Sequence, residues 1–143
     1  MLNQLTINNF GLIDSLNIEF SSQLNVLTGE TGAGKSIIID ALRSVLGERI
    51  DTSQIRNKTQ PLFIEAVFEI LDPKLKSNPA ITEYLTSDDN NLIIQRTLTS
   101  DGKTKNKING MTVTVGQLKA LGNALIDFHG PHDHQMLLAE DHH

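Results

Sequence analysis

The sequence predicts an α/β chain of α+β character, with a helix packed on a sheet, and three observations predict it. Short segments alternate apolar and polar residues, as half-buried strands do. Tight-turn residues separate several of these segments. One apolar segment runs straight into a glycine-rich loop, and a run with helical spacing follows that loop. The resulting order is antiparallel strands, then strand–loop–helix, then antiparallel strands again. It departs from the regular β-α alternation of a doubly wound sheet and favours a mixed sheet with antiparallel strands beside it.

Taken in order, Leu2, Leu5 and Ile7, then Leu12, Ile13, Leu16, Ile18 and Phe20, mark two strands, with Asn8, Asn9 and Gly11 at the turn between them. Leu24 to Leu27 reads as a short buried strand. Ile37, Ile38, Ala41, Leu42, Val45 and Leu46 recur at helical spacing, and Gly47 is placed to cap that helix. Residues 51–61 are a polar connection. Leu62, Ile64, Ala66, Phe68 and Ile70 alternate strictly, which predicts a strand. Pro73 and Pro79 bracket a short irregular or helical insertion. Residues 92–98 and 105–115 read as strands, with Ser100-Asp101-Gly102 and Asn109-Gly110 as tight turns. Residues 115–121 read as a helix and the apolar run 124–128 as a core strand.

The chain has 143 residues, 38% hydrophobic and 20% charged, which suits one globular domain. It is short for a complete motor ATPase. The absence of cysteine excludes disulfides and thiolate metal ligands. The opening MLNQLTINNF has neither a basic start nor an apolar signal core, and no apolar run reaches the ~18 residues of a membrane span. Cytoplasm is the expected location. The net charge of −5 gives no overall attraction to nucleic acid, so any DNA contact must come from a local patch or from an assembled form.

The strongest chemical signal is Gly29-Glu30-Thr31-Gly32-Ala33-Gly34-Lys35-Ser36, which matches G-x-x-x-x-G-K-[ST] at each fixed position. Glycines let consecutive amide N–H groups turn inward around a phosphate, and the start of the next helix adds its own free donors. Lys35 supplies a cation for the β- and γ-phosphates, and the Ser36 hydroxyl is a ligand for Mg²⁺. These residues predict a P-loop NTPase that binds ATP with Mg²⁺.

The string NFGLIDSLNIEFSSQLNVLTGETGAGKSIIIDAL resembles the start of the RecN family, in the SMC-like branch of the ATP-binding cassette ATPases. The resemblance continues through LGERIDTSQIR, IEAVFEI, IQRTLTSDGKTKNKINGMTVTVGQLKALG and IDFHGPHDHQMLL, so it covers essentially the whole chain in order and assigns residues 1–143 to one lobe. It implies an N-terminal lobe of an ATPase head, P-loop to Q-loop, without the coiled coil and the C-terminal lobe. It implies recombinational repair of DNA double-strand breaks, with ATP-driven head dimerisation coupled to DNA holding. The implied partners are ATP, the C-terminal lobe, a second head and DNA, in the bacterial cytoplasm and at the nucleoid, with no membrane.

The acidic Walker B pair and the signature motif are not recognisable. Residues 124–127 end in Asp127, but Phe128 stands where a catalytic carboxylate is expected. The fragment is therefore expected to bind ATP without hydrolysing it efficiently, and no catalytic residue is assigned within it. Family members read His-Gly-Gln-His at the Q-loop. Here the segment is His129-Gly130-Pro131-His132-Asp133-His134-Gln135, so Pro131 holds the glutamine position and Gln135 is the alternative. The histidines with Asp133 also have spacing compatible with a metal, although the Q-loop reading accounts for them. The resemblance places Asn9, Phe10 and Arg56 near nucleotide, against turn, core and solvated-loop readings. Arg96, Lys103, Lys105 and Lys107 are read as a lysine-protected edge or, alternatively, a phosphate-contacting strip. His142 and His143 are either native or a tag. Two rival functions share the loop: a P-loop small-molecule kinase or phosphotransferase, and a nucleotide-binding interaction module without catalysis.

Overall fold

Period-two burial in the strands builds one sheet with a dry face and a half-wet face. The computed structural model describes residues 1–20, 32–86 and 88–128. The strands are β1 (Leu2–Phe10), β2 (Ile13–Glu19), β3 (Leu62–Glu69), β4 (Asn91–Leu98), β5 (Thr104–Ile108) and β6 (Met111–Val113). They form a six-stranded sheet in the order β2-β1-β3-β4-β5-β6, and each neighbouring pair is antiparallel. The strand expected at Leu24–Leu27, which would supply the parallel part of a mixed sheet, lies outside the described residues.

The registers show why the alternation matters. Leu5 pairs with Ile18 and Ala66, Ile7 with Leu16 and Ile64, and Ala66 in turn with Ile94. Leu5, Ile7, Ile64, Ala66 and Ile94 are fully buried. A slip of one residue in any pair would turn these side chains out of the core. On the other face Thr6, Glu65, Gln95 and Lys107 follow one another across four strands. Gln95 Nε2 donates to Glu65 Oε2 at 2.6 Å there.

The dry face is covered by α1 (Gly32–Val45), which packs on β1, β3 and β4, and by α4 (Val115–Phe128), which touches β5. Two single-turn helices, α2 (Pro73–Lys76) and α3 (Pro79–Thr82), support α4. Each begins with proline after an Asp72 or Asn78 cap, where the missing N–H costs nothing. The predicted insertion between Pro73 and Pro79 is therefore helical.

Two turns follow the residues that specify them. Asn109 and Gly110 both have positive φ, 49° and 83°, and close β5 onto β6 as an Asn-Gly hairpin should. Gly47, at φ 111°, ends α1: its N–H bonds Ser44 O, and Glu48 N–H reaches Arg43 O at 3.2 Å. That double bond around a left-handed residue is a Schellman cap.

The core strand expected over 124–128 is instead the second half of α4. Thr114 and Gln117 form a reciprocal capping box that starts the helix, and Leu118, Leu121 and Leu125 share one buried face along it. The glycine that interrupts the apolar pattern, Gly122, is a close-packing residue. A Cβ there would lie 2.3 Å from Leu46 O, at the end of α1.

Candidate functional site

The second half of the glycine-rich motif opens α1. Gly32, Ala33, Gly34, Lys35 and Ser36 form its first turn, and Ser36 is exposed. A first helical turn leaves its amide N–H groups without intrahelical partners, and the helix dipole adds positive potential there. These donors, the absence of Cβ atoms at Gly32 and Gly34, and an exposed hydroxyl at Ser36 fit a Mg²⁺-bound phosphate chain. Gly29, Glu30 and Thr31 lie outside the described residues. Further along, α1 is anchored by Ala41, Leu42 and Val45, all fully buried, so the helix that Gly32 opens is fixed to the core.

A second group of expected residues is brought together by the structure at the β1–β2 turn. Asn9 has φ 61° and is buried, and its amide fastens the 56–61 loop. Its Nδ2 donates to Asn57 O at 3.0 Å and Gln60 O at 2.9 Å, while its Oδ1 accepts from Asn57 N at 2.7 Å. Arg56 N–H donates to Asn9 O at 3.2 Å, and Gly11 N–H to Gln54 O at 2.6 Å. Phe10 is a buried core residue bridged to Ile55. Asn9 and Phe10 thus have the turn and core roles weighed for them. They hold up Arg56, whose exposed guanidinium makes one long contact, Nη1 to Leu12 O at 3.5 Å.

Asn57 and Gln60 were not foreseen as members of this group. Their contribution is through backbone atoms, which leave no residue-type signal. Asn9 itself was legible, since asparagine tolerates a left-handed backbone better than other residues with a side chain.

The basic strip is divided by the structure. Lys105 and Lys107 share the open face of β5, while Lys103 sits in the turn before the strand and pairs loosely with Asp101 at 4.0 Å. Arg96 has the opposite parity and is 3% exposed. Its Nε donates to Asn106 Oδ1 at 2.8 Å, and its Nη1 donates to Ser44 O at 2.7 Å and Glu48 O at 2.6 Å. A cation at the C-terminus of α1 complements the helix dipole and satisfies carbonyls the helix leaves free. Burial pushes the Arg96 pKa below its ordinary value, yet a guanidinium stays charged. Arg96 is not part of a surface strip.

His129, Pro131, His132, Asp133, His134 and Gln135 lie outside the described residues. Among the described residues no cluster of three His, Cys, Asp or Glu side chains has the spacing of a metal site. No helix among them is long and apolar enough to cross a membrane.

A helix entered through GAGKS and laid across an antiparallel sheet is the arrangement of the P-loop ATPase class. The chain belongs to the AAA domain family, whose model matches residues 4–133. Its similarity to DNA repair protein RecN runs through the whole chain. It is 42% identical to RecN of Halalkalibacterium halodurans, with 100% of this chain aligned, and 41% identical to RecN of Vibrio cholerae, with 99% aligned. The chain spans about a quarter of the length of these relatives, 25% and 26% respectively.

Solved structures agree on the fold. One, described as "Structural biochemistry of ATP-driven dimerization and DNA stimulated activation of SMC ATPases", superposes with a TM-score of 0.65 at 20% identity, covering 91% of this chain and 82% of that one. The SMC head domain from Thermotoga maritima gives 0.56 at 22% identity, with 83% and 41% covered.

Proposed function

We propose that this chain is the nucleotide-holding lobe of a RecN-type ATPase acting in recombinational repair of DNA double-strand breaks. The observation that carries the reading is the placement of Gly32 to Ser36 in the first turn of α1, at the end of a helix clamped to the sheet. In this reading residues 29–36 wrap the phosphates, Lys35 contacts the β- and γ-phosphates, and Ser36 holds Mg²⁺. Arg56, held out by the Asn9 turn, approaches the nucleotide, and Gln135 takes the place of the glutamine that Pro131 displaces.

The likeness to RecN supports DNA repair as the setting. A second head and the C-terminal lobe of the same protein are the proposed partners, with ATP binding joining heads around DNA. Hydrolysis then requires groups this chain does not carry, since Asp127 is followed by Phe128 and lies at the end of a helix rather than a strand.

The test is an ATP–Mg²⁺ titration of the chain and of its Lys35→Ala variant, followed by hydrolysis assays with and without the rest of the protein and linear DNA. The expected outcome is binding by the chain, at least about tenfold weaker binding by the variant, and turnover that appears once the remaining parts are added. Equal binding by Lys35→Ala, or full turnover by the chain alone, would overturn the reading. Transfer of phosphate to a small-molecule acceptor would favour a kinase instead.

A further inference from the structure

At the far end of α1 from Gly32, about 20 Å away by the helical rise, the described residues line a half-open cavity of about 300 Å³. Arg49, Arg96 and Lys119 line it, with Thr52 and Thr104. Asp51 is its one acidic lining residue, so three cations face one carboxylate in a chain whose net charge is −5. That carboxylate is already engaged, because Asp51 Oδ1 accepts from Ser53 N at 3.0 Å in the capping box of the Thr52–Gln54 turn.

Arg96 is the unusual member. A buried charge is ordinarily paired with an opposite one. Here its Nε and Nη1 bond carbonyl and amide oxygens, it forms no salt bridge among the described residues, and its Nη2 has no hydrogen-bond partner among them. The helix-end carbonyls offset part of the charge, and no carboxylate among the described residues neutralises the rest beside the cavity that Arg96 lines.

We propose that this cavity binds a phosphomonoester dianion. The lining carries a net charge of two positives, three cations less one carboxylate, which matches such a group. Arg49, Lys119 and Arg96 in its lining supply charged donors, and Thr52 and Thr104 supply neutral ones. The volume is at the low end of small-molecule sites, large enough for a phosphate with its first substituent. A free phosphorylated small molecule and the 5′-phosphate at a DNA strand end present the same chemistry. The site is separate from the nucleotide cradle and stands whether or not the proposed function does.

The test is amide chemical-shift mapping of the chain, with inorganic phosphate titrated against chloride at constant ionic strength. Movement at Gly102, Thr104 and Lys119, distinct from any at Gly34, is expected. In the double variant Arg49→Gln/Lys119→Gln, which alters two exposed side chains, the apparent affinity at these amides should fall about tenfold or more. A second arm uses a short DNA duplex with and without a 5′-phosphate. Shifts that need the 5′-phosphate identify a DNA end as the source, and shifts from inorganic phosphate alone identify a free ligand. Silence at the three amides in both arms overturns the site, as does an unchanged response in the double variant. A DNA response indifferent to the 5′-phosphate overturns the dianion assignment.

Discussion

The side-chain oxygen of Asn9 accepts the backbone N–H of Asn57 at 2.7 Å, joining the first hairpin turn to a loop 48 residues further along the chain. The same side chain donates to Asn57 O and Gln60 O, so one buried amide ties both loop carbonyls to the turn. Removing it strands these loop backbone groups. Asn9→Ala is expected to destabilise the chain by about 1–3 kcal/mol in a denaturant titration. Asn9→Gly keeps the left-handed backbone free of strain but loses the same bonds. If Asn9→Gly retains wild-type stability, the φ of 61° and not the amide is what matters.

Arg96 ties β4 to the end of α1 through Ser44 O and Glu48 O. Arg96→Met keeps much of the side-chain volume but leaves both carbonyls and Asn106 Oδ1 without their donors. Charged hydrogen bonds of this kind are worth about 1.5–3 kcal/mol, and a loss of that size should appear as a lower unfolding midpoint. A change within experimental error would show that water replaces the guanidinium at no cost.

Gly122 sets the approach of α4 to α1. Alanine there gains about 1 kcal/mol of helix propensity, but its Cβ would meet the Leu46 carbonyl oxygen at 2.3 Å, a contact with backbone that cannot rotate away. Overpacking costs about 1–3 kcal/mol, so Gly122→Ala is expected to be net destabilising, and calorimetry gives the sign directly. Stabilisation by this change would mean that the two helices separate without loss.

Asp51 has a pKa below the ordinary carboxylate value, first because of the Ser53 backbone N–H and further because of Arg49, with desolvation opposing both. A depressed folded-state pKa means that the unfolded chain binds the proton more tightly. The contribution is therefore present above the unfolded value, about 3.9, and is lost as pH falls through the folded value. Carboxyl-detected NMR titration should place the Asp51 midpoint below that of a free aspartate. Opening of the 51–54 turn should follow on acidification. In Asp51→Asn the acid-dependent part should vanish, because asparagine retains the acceptor without titrating.

Much of the fold was legible because its signals are local. Alternation placed β3 and β4, Asn109-Gly110 placed the last hairpin, and Gly47 marked the end of α1, each through a backbone preference carried by a few adjacent residues. The same holds for the glycine-rich motif, whose spacing needs no tertiary context to be recognised. The strand expected at 124–128 is the second half of α4, which runs on through Gly122. A glycine chosen for close approach looks the same in sequence as one chosen for a turn, and only the neighbour, Leu46 O, tells them apart.

Arg96 shows the limit from the other side. Its inward parity was available, since it sits in register with Leu92, Ile94 and Leu98, yet its proximity to three lysines suggested a surface. The sequence by itself determined most of the described strands and helices, and it carries the glycine-rich motif proposed to cradle a phosphate chain. Tertiary structure decided which polar side chains are enclosed, because a buried Asn9 or Arg96 is stabilised by backbone groups about fifty residues away, and hydrogen bonds to backbone leave no mark on the identity of the partner.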